Sequence, residues 1–477
     1  MEQIQSLLES VIALMPGANI EQLSSIIQGI YAISSGGVTQ TNIGRYSEVS
    51  TRSVNRFMSY DISWCQVYLG QLKWYFGSKI GVYLLAIDET VEDKAGKHTH
   101  KLGYFFCSKA KKPIKSVSIA VMSVISVNLR KSYVVDFEQL EQDKEKAAAN
   151  KAAKAADKSK KGTKKGTKSV KEGSSAKAVE EVTVKNKGGR PKGSTAKAKE
   201  KTETVGFKAL ELLLKRLLPM LVQIGISPCY LVGDGAYGNL TGCLIAREQN
   251  LHLISKLHYN TVLFHLPKKG SKKRKYGDRV NLSDLGNLEK EPLAIEIERR
   301  EDEDGILTCF QIKAVRTQHI DCTINVVVVQ YLCLKTKKCS YCLLFSTDLE
   351  LSGDNLVDYY ALRFQIEFNF RDAKEFFGLS DFKSIKEIQV TNSIGMAFFM
   401  VNLSYILLAL TKEALQVEVL SIHDIKAHFR AVFYANRLKN SPDFSVPSFS
   451  DPKSIAFLAN LGAVNLGKII KKTKKAA

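Results

Sequence analysis

Residues 141–200 hold 18 Lys/Arg and 8 Asp/Glu, a net of +10 over 60 positions, with almost no large apolar side chain. Such a stretch cannot bury enough surface to offset the entropy of ordering it. From about 139 to 204 the chain is therefore expected to be a disordered basic insert. Any folded core must be built from the two flanks, continuous in space and interrupted in sequence. At 477 residues and 45% hydrophobic content the remainder suffices for two or three domains. The insert supplies nearly half of a formal net charge of +21. That excess points to a polyanionic partner, most simply nucleic acid.

Other classes are disfavoured. The start, MEQIQSLLESVIALM, lacks basic residues before its apolar part and does not read as a signal peptide. The longest apolar run, Ile394 to Leu410, is interrupted by Asn402 and Ser404 and reads as a buried helix rather than a membrane span. Nine irregularly spaced cysteines argue against a disulfide framework and for a reducing, cytoplasmic setting. Cys339-x-x-Cys342 has no second pair, which makes zinc a weak idea.

Taken in order, residues 1–78 look helical. TNIGRYSEVSTRSVNRFMSY suggests two short helices around a turn, with Ser50 capping the second and Val54, Phe57 and Met58 facing inward. Arg52, Asn55 and Arg56 then face outward, as in a helix-turn-helix that reads a major groove; a plain packing unit has the same pattern. Residues 79–138 begin the core. Tyr83–Ile87 is an apolar run ending at Asp88, and YFFCS near Tyr104 and Val117–Val127 read as two further strands of an antiparallel meander. Inside the insert, Gly189-Arg190-Pro191 with Lys192 looks like an AT-hook, which lays an extended arginine in an A·T minor groove. The core resumes over 205–257. A leucine-rich helix precedes the strand Tyr230–Val232, which ends at Gly233-Asp234-Gly235; a helix over 240–249 and a strand over 251–257 follow. Residues 258–348 form a β-rich insertion, 349–412 the helices that close the core, and 413–477 a helical region with a basic tail. The whole is an α/β chain whose element order is that of a ribonuclease H-like core, with an all-β insertion and a helical N-terminal DNA-binding domain.

The chemistry gathers on YYALRFQIEFNFRDAKEFFGL. Tyr360, Arg363, Glu367 and Lys374 lie at offsets 0, 3, 7 and 14, within about a 60° arc of one helix. A solvated salt-bridge face is the plain alternative. Asp88 and Asp234 both follow apolar strands, where ligand sites of open α/β sheets collect. Three carboxylates are suited to Mg²⁺, a hard ion that takes oxygen ligands. Two such ions about 4 Å apart can activate an attacking oxygen and stabilise a leaving one across a phosphodiester. Arg363 can grip a phosphate bidentately, Lys374 can serve as a point charge, and Tyr360 can donate to a phosphate oxygen or stack.

These residues make the chain resemble the DDE transposases of bacterial insertion sequences, in the insertion-sequence-four group with the signature Tyr-x2-Arg-x3-Glu-x6-Lys. Tyr360, Arg363, Glu367 and Lys374 match that spacing, LAIDET resembles the block of the first acid, and VGDGAYGN that of the second. The resemblance covers about 80–412 without the basic insert. It implies that Asp88, Asp234 and Glu367 bind two Mg²⁺ ions, with Mn²⁺ able to substitute, and that Tyr360, Arg363 and Lys374 hold the terminal phosphates of the element. It also implies double-stranded DNA partners (terminal inverted repeats and target) and a homodimer on DNA. Two departures stand out. Some members hold a flipped base with a tryptophan from the β insertion, whereas Trp64 and Trp74 precede the core here; Tyr259 or Phe264 could substitute. Many relatives place an arginine on the strand after the second aspartate, where this chain has Lys256. A catalytically silent DNA-binding descendant and a nuclease that cuts without joining are the competing functions.

Overall fold

The computed structural model describes residues 2–34, 36–77, 81–142, 204–267, 274–282 and 294–439. The AT-hook-like segment with Arg190 and Lys192 lies outside them, as does the basic tail.

Five helices open the chain: α1 (Glu2–Ile12), α2 (Ile20–Ala32), α3 (Gln40–Arg45), α4 (Thr51–Phe57) and α5 (Trp64–Phe76). Ser50 caps α4 by accepting from the Ser53 amide, and Val54, Phe57 and Met58 are buried. Arg52, Asn55 and Arg56 are exposed. These helices share one hydrophobic core with the rest of the chain. Tyr31 Oη hydrogen-bonds Ser404 Oγ at 2.9 Å, and Trp64 Nε1 donates to Asn392 Oδ1 at 2.9 Å.

The sheet explains how the two flanks of the insert join. Strand β1 (Tyr83–Asp93) pairs antiparallel with β3 (Lys112–Ser126), which pairs antiparallel with β4 (Lys131–Leu140). On its other side β1 runs parallel to β5 (Tyr230–Gly233), and β5 runs parallel to β6 (His252–Leu257). Helix α6 (Val205–Gln223) buries Leu210, Leu213, Leu214, Leu217 and Leu221, and α7 (Leu240–Glu248) links β5 to β6. The order β4-β3-β1-β5-β6, three antiparallel strands followed by two parallel ones, is consistent with a ribonuclease H-like core.

Three expectations are corrected. The meander of strands at 83–87, 104 and 117–127 omits β4, which is the third long antiparallel strand; β2 (Gly103–Cys107) pairs only with the first residues of β3. Asp88 does not end its strand, since pairing with β3 continues to Asp93↔Ser116. The apolar run stops at Ile87 because beyond it β1 has lost its parallel neighbour and its residues meet solvent or polar partners.

Strands β7 (Leu263–Phe264), β8 (Ala294–Glu301), β9 (Gly305–Thr317), β10 (Ile324–Cys333) and β11 (Cys339–Ser346) follow. They extend the central sheet, because β11 pairs with β6 through Leu343↔Leu257 to Ser346↔Ile254. Helices α8 (Gly353–Leu362), α9 (Gln365–Phe376), α10 (Glu387–Leu415) and α11 (Ile422–Lys439) complete the described chain. Helix α10 is long and apolar enough to cross a membrane by composition, yet 78% of its most apolar window is buried inside the fold.

The third correction concerns the stretch 359–379, which is two helices. Arg363 N and Phe364 N bond the carbonyls three residues back, at 3.2 and 3.1 Å, and Ile366 and Glu367 do the same at 3.0 and 3.1 Å. This run of tight turns breaks the α-helical phase between Tyr360 and Glu367.

Candidate active site

The last parallel couple of β1 and β5 is Ile87↔Gly233, so Asp88 and Asp234 are the next residues on neighbouring strands, whose backbones run about 4.8 Å apart. Asp234 sits in a fixed loop. Its Oδ1 accepts from Ala236 N at 2.9 Å, and its carbonyl accepts from Ser255 Oγ at 2.6 Å. The glycine at 238 is required, because a Cβ there would run into the Lys256 carbonyl and lie 2.8 Å from Ser255 Oγ. Gly238→Ala should cost about 1–3 kcal/mol in denaturant unfolding; unchanged stability would mean that the loop is not held this tightly.

Helix α9 brings the third acid. Ile366, Phe370 and Ala373 bury one face, and Asn369 ties the helix to β4 by accepting from Ser132 Oγ at 2.7 Å and donating to Ser132 O at 3.1 Å. Glu367 is left half-exposed on the side towards β1. The link between them is Arg363, whose Nη1 donates to Asp88 Oδ2 at 2.7 Å and Nη2 to Glu367 Oε1 at 3.1 Å. One guanidinium thus bridges carboxylates from β1 and α9. Its Nε is buried with no hydrogen-bond partner.

Burial raises the Asp88 carboxyl from the usual range to about 6; the Glu89 amide and Arg363 oppose the rise, and the charges of Asp234 and Glu367 add to it. Tyr360 is half-buried, 5.8 Å from the Arg363 guanidinium, and burial lifts its phenol. Asp88, Asp234, Glu367, Arg363 and Tyr360 are therefore neighbours where β5 ends beside β1 in the middle of the sheet.

Lys374 pairs with Glu92 Oε1 at 2.6 Å, and Ser380 Oγ donates to Glu92 Oε2 at 2.7 Å. Glu92 is a buried acid that sequence reasoning passed over, although it stands four residues beyond Asp88 on the same face of β1. The acidic run IDETVED was the available signal. Lys256 is exposed on β6 and makes no direct polar contact with the three acids among the described residues. Arg52 and Arg56 lie on α4, on a different element from all of these.

Trp64 and Trp74 serve packing: Trp74 Nε1 donates to Ser6 Oγ at 3.2 Å, and Trp64 is buried against α10. Phe264 packs on Tyr276, whereas Tyr259, just past β6, is 65% exposed. Cys339 and Cys342 are three apart on β11 and so point to opposite faces of the strand.

The donor chemistry suits a hard divalent cation, since all three acids offer oxygen and a cationic group already lies between Asp88 and Glu367. Among the described residues no three Asp, Glu, His or Cys side chains are arranged to hold a metal ion. Arg363 holds the intervening position.

Residues 65–295 match the family described as DDE superfamily endonuclease. The matched span includes Asp88 and Asp234 and stops short of Glu367. No curated protein matches the chain. Solved structures similar to it include the cryo-EM structure of a piggyBac transposase synaptic complex with hairpin DNA, at 9% identity and a TM-score of 0.38, covering 97% of this chain and 82% of that one.

Proposed function

We propose that the chain is a DNA transposase that binds the ends of its element, cuts a strand to expose a 3′-OH, and joins that end to target DNA. The observation that carries this is the placement of Asp88 beside Asp234 where β5 ends, with Arg363 spanning Asp88 and Glu367. The match of residues 65–295 to DDE superfamily endonucleases supports it.

Asp88, Asp234 and Glu367 would hold two Mg²⁺ ions, which when bound supply a polarised attacking oxygen and charge stabilisation for the leaving one. The protein's own groups do the rest. The strand pair fixes Asp88 beside Asp234, and the packed face of α9 fixes Glu367. Arg363 exchanges its carboxylate partners for a phosphate, for which its two terminal nitrogens and unpartnered Nε are fitted. Tyr360 orients the guanidinium and donates to the same phosphate. Lys374, released from Glu92, offers a point charge to a neighbouring one. Tyr259, exposed just past β6, would hold a flipped base, and two protomers would bring two ends together. Arg52 and Arg56 would contact DNA on α4, Lys256 the strand beside Asp234, and Arg190 and Lys192 a minor groove.

A strand-transfer assay on linear DNA carrying the element's ends tests this. Joined product in Mg²⁺ that disappears in Glu367→Gln is expected. Binding without cleavage would sink the proposal, and cleavage without joining would assign a nuclease. Deleting 141–200 should weaken DNA binding and flatten its salt dependence while the core stays folded; an unchanged salt slope would remove the insert's electrostatic role.

A further inference from the structure

The loop that carries Asp234 is tied back to β1 by a side chain that the proposed chemistry does not use. Parallel pairing of β1 with β5 ends at Ile87↔Gly233. Past that rung Asp88 is still held on its other side by β3, through Asp88↔Val121. Asp234 has left the sheet. The backbone bonds around it, Tyr237 N to Asp234 O at 3.1 Å and Asn239 N to Tyr237 O at 2.9 Å, stay within the loop. Ser255 fixes the loop to β6. None of these reaches β1. Tyr237 does, because its Oη donates to Glu89 Oε1 at 3.1 Å.

Both ends of this bond are braced. Tyr237 is buried and meets the Phe207 ring of α6 edge-on, with centroids 5.7 Å apart. It sits so close over Gly233 that a Cβ added there would stand 2.9 Å from the Tyr237 Cβ. Burial and the neighbouring Glu89 carboxylate push the phenol well above its usual range, so it stays protonated and donates. Glu89 Oε1 rests on the first turn of α6, where a Cβ on Gly206 would be 2.5 Å away. The exposed amides of a helix N-terminus favour a carboxylate in that place. Side chains alternate along a strand, so Glu89 points away from the face that carries Asp88. The tie therefore spans the two strands from behind and leaves the Asp88 face clear.

We infer that Tyr237 and Glu89 are positioning residues that set the separation of the Asp88 and Asp234 carboxylates. The inference rests on the reading of these acids as a metal centre, and it adds the device that holds them in register. Ligands of a divalent ion must stand within about 0.2 Å of their places. Beyond Ile87↔Gly233 no ladder bond between β1 and β5 is left to enforce this. Groups that hold metal ligands in place typically govern metal affinity by about 10–100-fold. A hydrogen bond that only stabilised the fold would show in unfolding and not in metal affinity.

The test measures Mn²⁺ binding to the full chain from the loss of the free-ion paramagnetic resonance signal, without DNA so that no chemistry intervenes. Tyr237→Phe keeps the ring and its packing and removes only the donor. It should weaken Mn²⁺ binding about tenfold. On Glu89→Ala, where the acceptor is already gone, the same change should alter the affinity by less than about twofold. Unchanged Mn²⁺ affinity in Tyr237→Phe would overturn the inference, and so would an equal loss on both backgrounds. Should Glu89→Ala fail to fold, Tyr237→Phe on the parent decides alone. Asp88→Asn separates this failure from that of the site itself. If it abolishes Mn²⁺ binding while Tyr237→Phe changes nothing, the metal centre stands and the positioning role falls. If the parent binds no Mn²⁺, or Asp88→Asn leaves binding intact, both fall.

Discussion

Asp88→Asn should give a protein that cleaves DNA at least about 10³-fold more slowly and yet unfolds less readily than the parent at pH 7.5. The sign follows from burial. The folded protein holds this carboxyl's pKa at about 6, against 3.8 for the free group. Between those values the folded state binds the proton and the unfolded state does not, so the group's contribution to stability is full below 3.8 and is lost as pH rises through 6. At pH 7.5 the ionised Asp88 thus costs about 1–3 kcal/mol, which asparagine removes while still accepting from Arg363. Urea unfolding of both proteins at pH 7.5 and pH 4 checks it: the gain should be present at the higher pH and shrink at the lower. A loss at pH 7.5 would show that the Asp88–Arg363 pair outweighs the burial cost and that Asp88 is held for structure.

The second large effect is expected far from the chemistry, at Gly395 in the middle of α10. The Trp64 ring lies directly on this glycine, and a Cβ would collide with three of its ring carbons. The ring cannot retreat, because its Nε1 is bonded to Asn392 and its flank is packed by Tyr68 and Phe399. Tyr68 Oη also donates to the Gly395 carbonyl at 2.8 Å. In an open helix Gly→Ala stabilises by about 1 kcal/mol. Here the sign should reverse, with a net loss of about 3 kcal/mol from overpacking. Urea midpoints of Gly395→Ala and the parent measure it. A variant as stable as the parent would mean that α5 and α10 are not in close contact, and the N-terminal helices would then be free to move as a separate body.

The signals visible in the sequence were those fixed by local chemistry. Apolar runs mark β1, β5 and β6, and the position of Asp88 and Asp234 after them is readable because each run must be buried. Glu367 stands out by its spacing to Tyr360, Arg363 and Lys374 on one helix, a phase that the break at Arg363–Phe364 does not keep. What was hidden depends on distant partners. The break at Arg363–Phe364 has no glycine or proline to announce it; it accompanies Arg363 reaching to β1 while Asn369 anchors α9 on β4. The polar residues of β1 beyond Asp88 look like the end of a strand, yet they pair with β3 to Ser116. From sequence Lys374 reads as a phosphate contact, and nothing local shows that its partner Glu92, a strand acid, lies beneath the helix lysine. β4 is masked in the sequence by the charge-rich insert that follows it.

If Asp88, Asp234 and Glu367 form one metal-dependent phosphoryl-transfer centre, anomalous scattering from Mn²⁺ in crystals of the chain with DNA ends will locate the ions there. Two peaks about 4 Å apart, bounded by these three carboxylates and with Arg363 drawn away onto a phosphate, are expected. A site without bound Mn²⁺, in which Arg363 still bridges Asp88 and Glu367 while DNA is bound, would contradict it.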